Sequence, residues 1–252
     1  MICPICKKTM IESKHRVFCD SNHSFDKAKS GYINLLLNSS NSGDNKSMID
    51  SREMIMGLGY YQPLAEEINR ILLKYNIKSV LDVGCGEGYY SKFISDVLKI
   101  NVVGMDISKY ACLRASKSTK AVKYIVASMK DIPYEDNFFD AILNNFAPHS
   151  EDEFCRVSNN LLIKVIPGTK HMLEVKNFLY NDIIIKDSKI QSFVGFDLIE
   201  EVNLTYSKYV NHVLDLVRMT PYYYKTKINE DELMAFETNV TFDFKLLIYK
   251  KR

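Results

Sequence analysis

Short apolar runs broken by polar turns set the first expectations. Ser79–Val83, Asn101–Met105, Val122–Ala127, Phe139–Leu143 and Leu161–Ile166 are apolar runs of strand length. Between them lie helix-length segments, Tyr89–Leu98 and Lys109–Ser118, the latter with Ser108 placed as its N-cap. Ser150-Glu151-Asp152-Glu153 has capping-box spacing and opens a further helix. Strands alternating with helices predict an α/β fold with a parallel sheet covered on both faces. Upstream, helices are expected over Ser47–Met56 and Pro63–Tyr75. Downstream, Asp197–Tyr206 predicts a strand and Lys208–Met219 a helix with Val210, Val213, Leu214 and Val217 on one side. The last segment alternates strictly. Val240, Phe242, Phe244, Leu246 and Ile248 point one way, against Thr241, Asp243 and Lys245, as in a half-buried antiparallel strand.

Three regions follow: residues 1–37, dense in Cys, His and Lys; residues 38–60, a linker and helix; and residues 61–252, the α/β domain. Asn38–Asn45 is polar throughout and reads as a linker. The chain has 252 residues, 46% of them hydrophobic, enough for one sizeable domain and a satellite. No apolar run nears the ~18 residues of a membrane span, and Met1-Ile2-Cys3-Pro4 lacks a signal's apolar region. No membrane partner and a cytoplasmic location are therefore expected, so the six cysteines read as thiols or metal ligands. Net charge is +2, but residues 1–37 carry six Lys/Arg against three Asp/Glu. This local excess of +3 suits a solvated face or a patch that meets phosphate.

Cys3-x2-Cys6 and Cys19-x3-His23 form two close pairs, the spacing of a closed tetrahedral Zn2+ site. Four protein ligands leave no open position, so the metal would be structural, and the role of the module recognition. His15, within the expected hairpin, is a competing ligand; Cys85, Cys112 and Cys155 read as buried apolar thiols. The second motif is Asp82-Val83-Gly84-Cys85-Gly86-Glu87-Gly88-Tyr89, in which a strand ends in a glycine turn and a helix begins. Asp106 ends the next strand, where an acid bonds ribose hydroxyls. A nicotinamide dinucleotide favours Gly-x-Gly-x-x-Gly, with its pyrophosphate on the helix N-terminus. Here the third glycine comes one position early, and the Glu87 carboxylate suits an amino-acid ammonium. S-adenosylmethionine carries an ammonium and no phosphate. Ser128 and Met129, after the third strand, suit the edge of an adenine pocket.

Cluster, linker and glycine turn together resemble the bacterial 23S ribosomal RNA guanine-N1 methyltransferases. The resemblance is carried by Cys3-Pro4-x-Cys6, Cys19, His23-Ser24-Phe25-Asp26, Gly31-Tyr32-Ile33-Asn34, Gly59-Tyr60-Tyr61-Gln62-Pro63-Leu64 and the glycine turn. Ala147-Pro148, Pro167-Gly168 with His171 and Glu174, and Met219-Thr220-Pro221 continue it. The turn of Lys-Pro-Gly-Gly type common before the fifth strand is missing between Arg156 and Val165. The resemblance implies a Rossmann-like class I S-adenosylmethionine methyltransferase fold, a mostly parallel seven-stranded sheet with helices on both faces, behind an N-terminal zinc ribbon. It implies Zn2+ on Cys3, Cys6, Cys19 and His23. It also implies S-adenosylmethionine against Tyr61, Gly86, Glu87 and His171; the glycine turn and the strand ends read above add Asp82, Gly84, Gly88, Asp106, Ser128 and Met129 as expected cofactor residues. The substrate implied is a guanine in a 23S rRNA hairpin loop, and the enzyme a homodimer.

Methyl transfer to guanine N1 needs a proton acceptor, for which His149 and Glu174 are candidates; Phe146 is placed to stack on the base. Tyr222-Tyr223-Tyr224 reads as core or surface packing. Two other readings remain: a class I methyltransferase acting on a small molecule or protein, and a non-catalytic zinc-ribbon RNA-binding protein.

Overall fold

The computed structural model describes residues 1–38, 44–180, 190–225 and 228–252; most of the polar run at 38–45 lies outside them. Four short strands come first: β1 (Ile11–Glu12), β2 (Arg16–Phe18), β3 (Ser24–Asp26) and β4 (Ile33–Asn34). Helices α1 (Lys46–Gly57) and α2 (Gln62–Lys74) lead into β5 (Ser79–Val83), α3 (Tyr89–Leu98), β6 (Asn101–Asp106), α4 (Lys109–Ser118), β7 (Lys123–Val126) and β8 (Phe139–Asn145). Then follow α5 (Glu151–Val157), β9 (Ser158–Pro167), α6 (Leu173–Leu179), β10 (Phe196–Val210), α7 (Val213–Arg218), α8 (Tyr222–Lys225), α9 (Glu230–Ala235) and β11 (Thr238–Lys251).

Strands β1 to β3 make a small antiparallel sheet, while the large sheet runs β10-β11-β9-β8-β5-β6-β7-β4. The pairs from β4 through β9 are parallel, and β11 and β10 close the other edge antiparallel. The sheet has eight strands because the N-terminal region contributes an edge: Ile33 and Asn34 pair with Ile125 and Val126. Alternate residues feed two cores. Val80, Leu143, Ile163 and Phe244 pack in one; Leu81, Ile142, Leu162 and Leu247 in the other. β5 pairs with β6 on one side and β8 on the other, so successive crossovers leave it in opposite directions. The C-terminal ends of β5 and β8 therefore flank a topological switch point, where open α/β sheets bind ligands.

The helix expected over Lys208–Met219 does not start there. Lys208, Tyr209 and Val210 extend β10, in register with Val240, Asn239 and Thr238, and helix begins at Val213. Long-range strand pairing overrides a pattern that suited either period. The capping box at Ser150 is also absent. Ser150 makes no side-chain cap bond, and Glu153 instead accepts the Ile132 N–H at 2.6 Å and pairs with Arg156. Ser108 does cap α4, accepting from Ala111 N. The missing turn before β9 has a simple form: α5 ends at Val157 and β9 starts at Ser158. Cys85 and Cys112 are buried as expected, but Cys155 is only partly so. Tyr222 and Tyr223 pack against the core, and Tyr224 is exposed.

Candidate active site and metal centre

Buried strand β5 delivers the chain into the glycine turn, and Gly84 N and Cys85 N both donate to Met105 O, at 2.8 and 3.1 Å. Gly84 has φ +79°, and a Cβ there would lie 2.5 Å from the Ala147 Cβ. Gly88 has φ +84°, and its Cβ would meet the Tyr124 hydroxyl at 2.5 Å. Only glycine fits both places. The Asp106 carboxylate accepts Gly86 N at 2.9 Å and Ser108 N at 2.8 Å, so it holds the turn against β6. Each of its oxygens keeps a lone pair for a ribose hydroxyl. Asp82 is buried under the turn and accepts from Ser91 Oγ at 2.5 Å, which ties α3 to β5. Burial pushes its carboxyl up to about 7, against the Ser91 hydrogen bond.

Beside this turn several buried polar atoms lack partners: Glu87 Oε2, the Tyr90 hydroxyl and both ends of the Asn145 amide. Tyr90 and Asn145 face each other without closing a hydrogen bond. Buried polar atoms are normally satisfied, so orphans gathered at a switch point mark the seat of a polar ligand. Burial drives Glu87 up to about 7; nearby Arg52 opposes this, and Asp106 and Asp82 add to it. Tyr61 stands at the N-terminus of α2, its ring edge-on to Phe242 at 5.2 Å and to His171 at 6.5 Å. His171 is buried, and burial lowers it to about 3, so the ring is neutral. Its Nδ1 accepts Asp243 N at 3.3 Å, which leaves the ring proton on Nε2. Ser128 Oγ accepts Lys130 N at 3.2 Å in the turn after β7, and Met129 packs on the adjacent core.

Two basic groups in this region were missed in the sequence. Arg52, on α1, pairs with Asp44 and donates to Met219 O at 3.3 Å. Burial pulls it down, but the charges of Asp44 and Glu87 outweigh burial and hold it above its ordinary value. Lys164, on β9, is buried, donates to Asn144 Oδ1 and to Ala147 O at 2.7 Å, and is lowered to about 8 by burial. Lys164, Phe146, Ala147, His149 and Gln191 line a cavity of about 360 Å3, within the range of small-ligand sites.

Phe146 has φ +53°, is 44% exposed and stacks on His171 at 6.3 Å. A bulky residue held in that conformation is strained, and strain concentrates at functional loops. His149 packs edge-on to Phe193 at 5.1 Å and is lowered by burial and by Lys164, so it is a neutral base. Glu174 differs. Its oxygens accept from Thr241 Oγ1 at 2.5 Å and Thr241 N at 2.8 Å, which overcome burial and hold its carboxyl below the ordinary value. Those bonds anchor α6 to β11 and leave Glu174 a poor proton acceptor.

The N-terminal cluster is built from two similar turns. Lys7 N donates to Cys3 O at 2.9 Å and Asn22 N to Cys19 O at 3.0 Å, with Lys7 and Asn22 both at φ +61°. Cys3 Sγ and His23 Nδ1 are 3.5 Å apart, Cys6 and Cys19 Sγ 3.5 Å, and Cys19 Sγ and His23 Nδ1 3.6 Å. All four ligand atoms fall within 4.8 Å. Metal distances of ~2.3 Å to sulfur and ~2.0 Å to nitrogen give tetrahedral edges near these separations. The donors fit Zn2+. The Lys8 backbone N–H chiefly lowers Cys6 to about 6, which favours the thiolate. His15 is exposed and stands outside the cluster.

The family model described as "Methyltransferase domain" matches residues 81–168, and the one described as "RlmA, N-terminal" matches residues 1–38. YxjB of Bacillus subtilis, which bears a 23S rRNA (guanine-N(1)-)-methyltransferase name, is 30% identical over 193 residues, 71% of this chain and 68% of that protein. The 23S rRNA (guanine(748)-N(1))-methyltransferase of Streptomyces fradiae is 28% identical over 70% of this chain and 66% of its own length. A Micromonospora griseorubida relative with a 23S rRNA (guanine-N(1)-)-methyltransferase name is 26% identical over 69% of this chain and 67% of that protein. Fold and site together define a class I S-adenosylmethionine-dependent methyltransferase behind a zinc ribbon. Within that class, the chain belongs to the 23S rRNA guanine-N1 methyltransferase family. Among the described residues, no helix is long and apolar enough to cross a membrane.

Proposed function

We propose that this chain moves the methyl group of S-adenosylmethionine to N1 of a guanine in 23S rRNA. The observation that carries the reading is the continuity of the two units. Ile33 and Asn34, just after the metal cluster, pair with Ile125 and Val126 in the strand beside β6, whose end holds Asp106. A basic module fixed to the same sheet as the cofactor turn suits a polyanionic substrate better than a small molecule.

Bound at the glycine turn, S-adenosylmethionine supplies a methyl already electrophilic on its sulfonium, so the protein mainly positions the reactants. Glu87 takes the methionyl ammonium and Asp106 the ribose hydroxyls, while Tyr61 and His171 wall the methionyl side. Gly84, Gly86 and Gly88 let the backbone approach; Ser128 and Met129 edge the adenine; Asp82 braces the turn from below. A guanine in a duplex hides N1, so the substrate is an unpaired or flipped base, as a hairpin loop presents. Phe146 stacks on it. Formation of the N1–CH3 bond would accompany cleavage of the sulfonium S–CH3 bond, whose electron pair stays on sulfur as the thioether, and the N1 proton would pass to His149. Glu174, tied to Thr241, positions α6 and holds no proton in this reading. The RNA hairpin and the pairing of two copies rest on the family resemblance.

The test is methylation of a 23S rRNA transcript with labelled cofactor, followed by nucleoside mass spectrometry. One N1-methylguanosine per transcript is expected, and His149→Ala should lower kcat by about 10²- to 10⁴-fold. Methylation of another atom, or RNA binding with no transfer, rejects the assignment.

A further inference from the structure

Arg52 takes no part in the chemistry above, yet it lies against the cofactor turn. A Cβ at Gly86 would be 3.2 Å from its Nη1, and Glu87 and Asp106 both act on it electrostatically. Its side chain is only 21% exposed. Of five N–H donors, the bonds to Asp44 and Met219 O use part, and the planar fork that remains matches a carboxylate. The methionyl end of the cofactor is a zwitterion. Glu87, with an unpartnered buried oxygen, is complementary to its ammonium, and a carboxylate one carbon away needs a cation of its own.

We propose that Arg52 binds the α-carboxylate of S-adenosylmethionine, which takes the place of Asp44 on the guanidinium. The inference rests on the cofactor reading above and adds a residue to it. It explains why a helix outside the glycine-turn motif carries a mostly buried arginine aimed at that motif. It also makes α1 part of the cofactor site rather than a connector.

Calorimetric binding of two product analogues to the full-length zinc-loaded protein tests it without turnover. One is S-adenosylhomocysteine; the other is its decarboxylated form, which keeps the nucleoside, thioether and ammonium. The wild type should prefer the carboxylate-bearing ligand by about 10- to 100-fold, the scale of a charge-assisted bidentate contact. In Arg52→Gln that preference should collapse to within about threefold, with the decarboxylated ligand bound as before. Arg52→Lys keeps the cation without the fork and should lose part of the preference; it carries the test should the glutamine variant not fold. Equal weakening of both ligands, or a preference unchanged in the variants, overturns the inference. A wild type that binds neither ligand removes the cofactor reading itself.

Discussion

Glu87 is a carboxyl whose charge the apo fold disfavours. Its folded value, raised by burial to about 7, lies above its ordinary value of 4.5. The stability it contributes is therefore present below about pH 4.5 and lost as pH rises through about 7. On the cofactor reading proposed above, binding has the opposite sign, because the methionyl ammonium would pair with the ionised form. S-adenosylhomocysteine should bind several-fold tighter at pH 8 than at pH 6, by up to tenfold per pH unit below 7. Glu87→Gln should bind more weakly at pH 8 and show a flat profile. Asp82 is raised in the same direction, so the variant, not the wild-type curve alone, assigns the effect. A dissociation constant invariant between pH 6 and 8 refutes it. The place of Glu87 in the glycine turn and the gathering of Cys3, Cys6, Cys19 and His23 were legible in sequence because each sits at a fixed offset in a local motif. Arg52 and Lys164 were not. A lone basic residue in a helix or strand is ordinarily solvated, and only the packing of α1 on Gly86 and of β9 under Ala147 gives these two their meaning. Glu174 shows the converse: motif context drew attention to it, and its contact with Thr241 arises only where α6 meets β11.

The contact between two connections, the glycine turn after β5 and the loop after β8, governs how cofactor and base would meet. Gly84 touches Ala147 so closely that a methyl on Gly84 would sit 2.5 Å from the Ala147 Cβ. Gly84→Ala should destabilise the protein by about 2–4 kcal/mol, the positive φ and the clash adding to each other. Ala147→Gly in the same chain removes the clash but not the φ cost, so it should recover about half. Urea titrations of both single variants and the double variant measure the coupling, and strict additivity would mean that the two loops do not bear on each other. Elements bounded by glycines or caps were readable to the residue: β5 is Ser79–Val83 and α3 is Tyr89–Leu98. Where long-range pairing decides, the sequence misled. Val210 suited a helix face, yet its ladder partner is Thr238, which local periodicity does not reveal.

On the scale of the molecule, a small ribbon with little core of its own is joined to a large α/β domain. Its strands β1 to β3 have two or three residues each, and the buried apolar side chains up to the end of β3 are few: Cys3, Met10, Val17 and Cys19. Such a module folds only with help from its metal, for which apparent values of ~10–16 kcal/mol are typical. Its attachment to the large sheet is of a different kind. Ile33 is buried, Leu35 N donates to Val126 O at 2.9 Å and Ile2 N to Pro133 O at 3.0 Å. The Lys7–Asp131 pair across the junction is half exposed on both sides and adds little. The two units should therefore respond separately to loss of metal. Chelation should open the first thirty or so residues to protease while the sheet stays intact, since the core on one face of the sheet excludes the cluster, although Cys3 and Cys19 join the core on the other face. Affinity for S-adenosylhomocysteine should change by less than about threefold, whereas affinity for a 23S rRNA fragment should fall by tenfold or more, as the basic module loses its shape. Cys19→Ser should give the same pattern without chelator. Calorimetry and filter binding on one preparation read both quantities. If RNA affinity persists after zinc is lost and the ribbon is cut, the RNA grip lies on the methyltransferase domain and the ribbon serves only to cover the β7 edge.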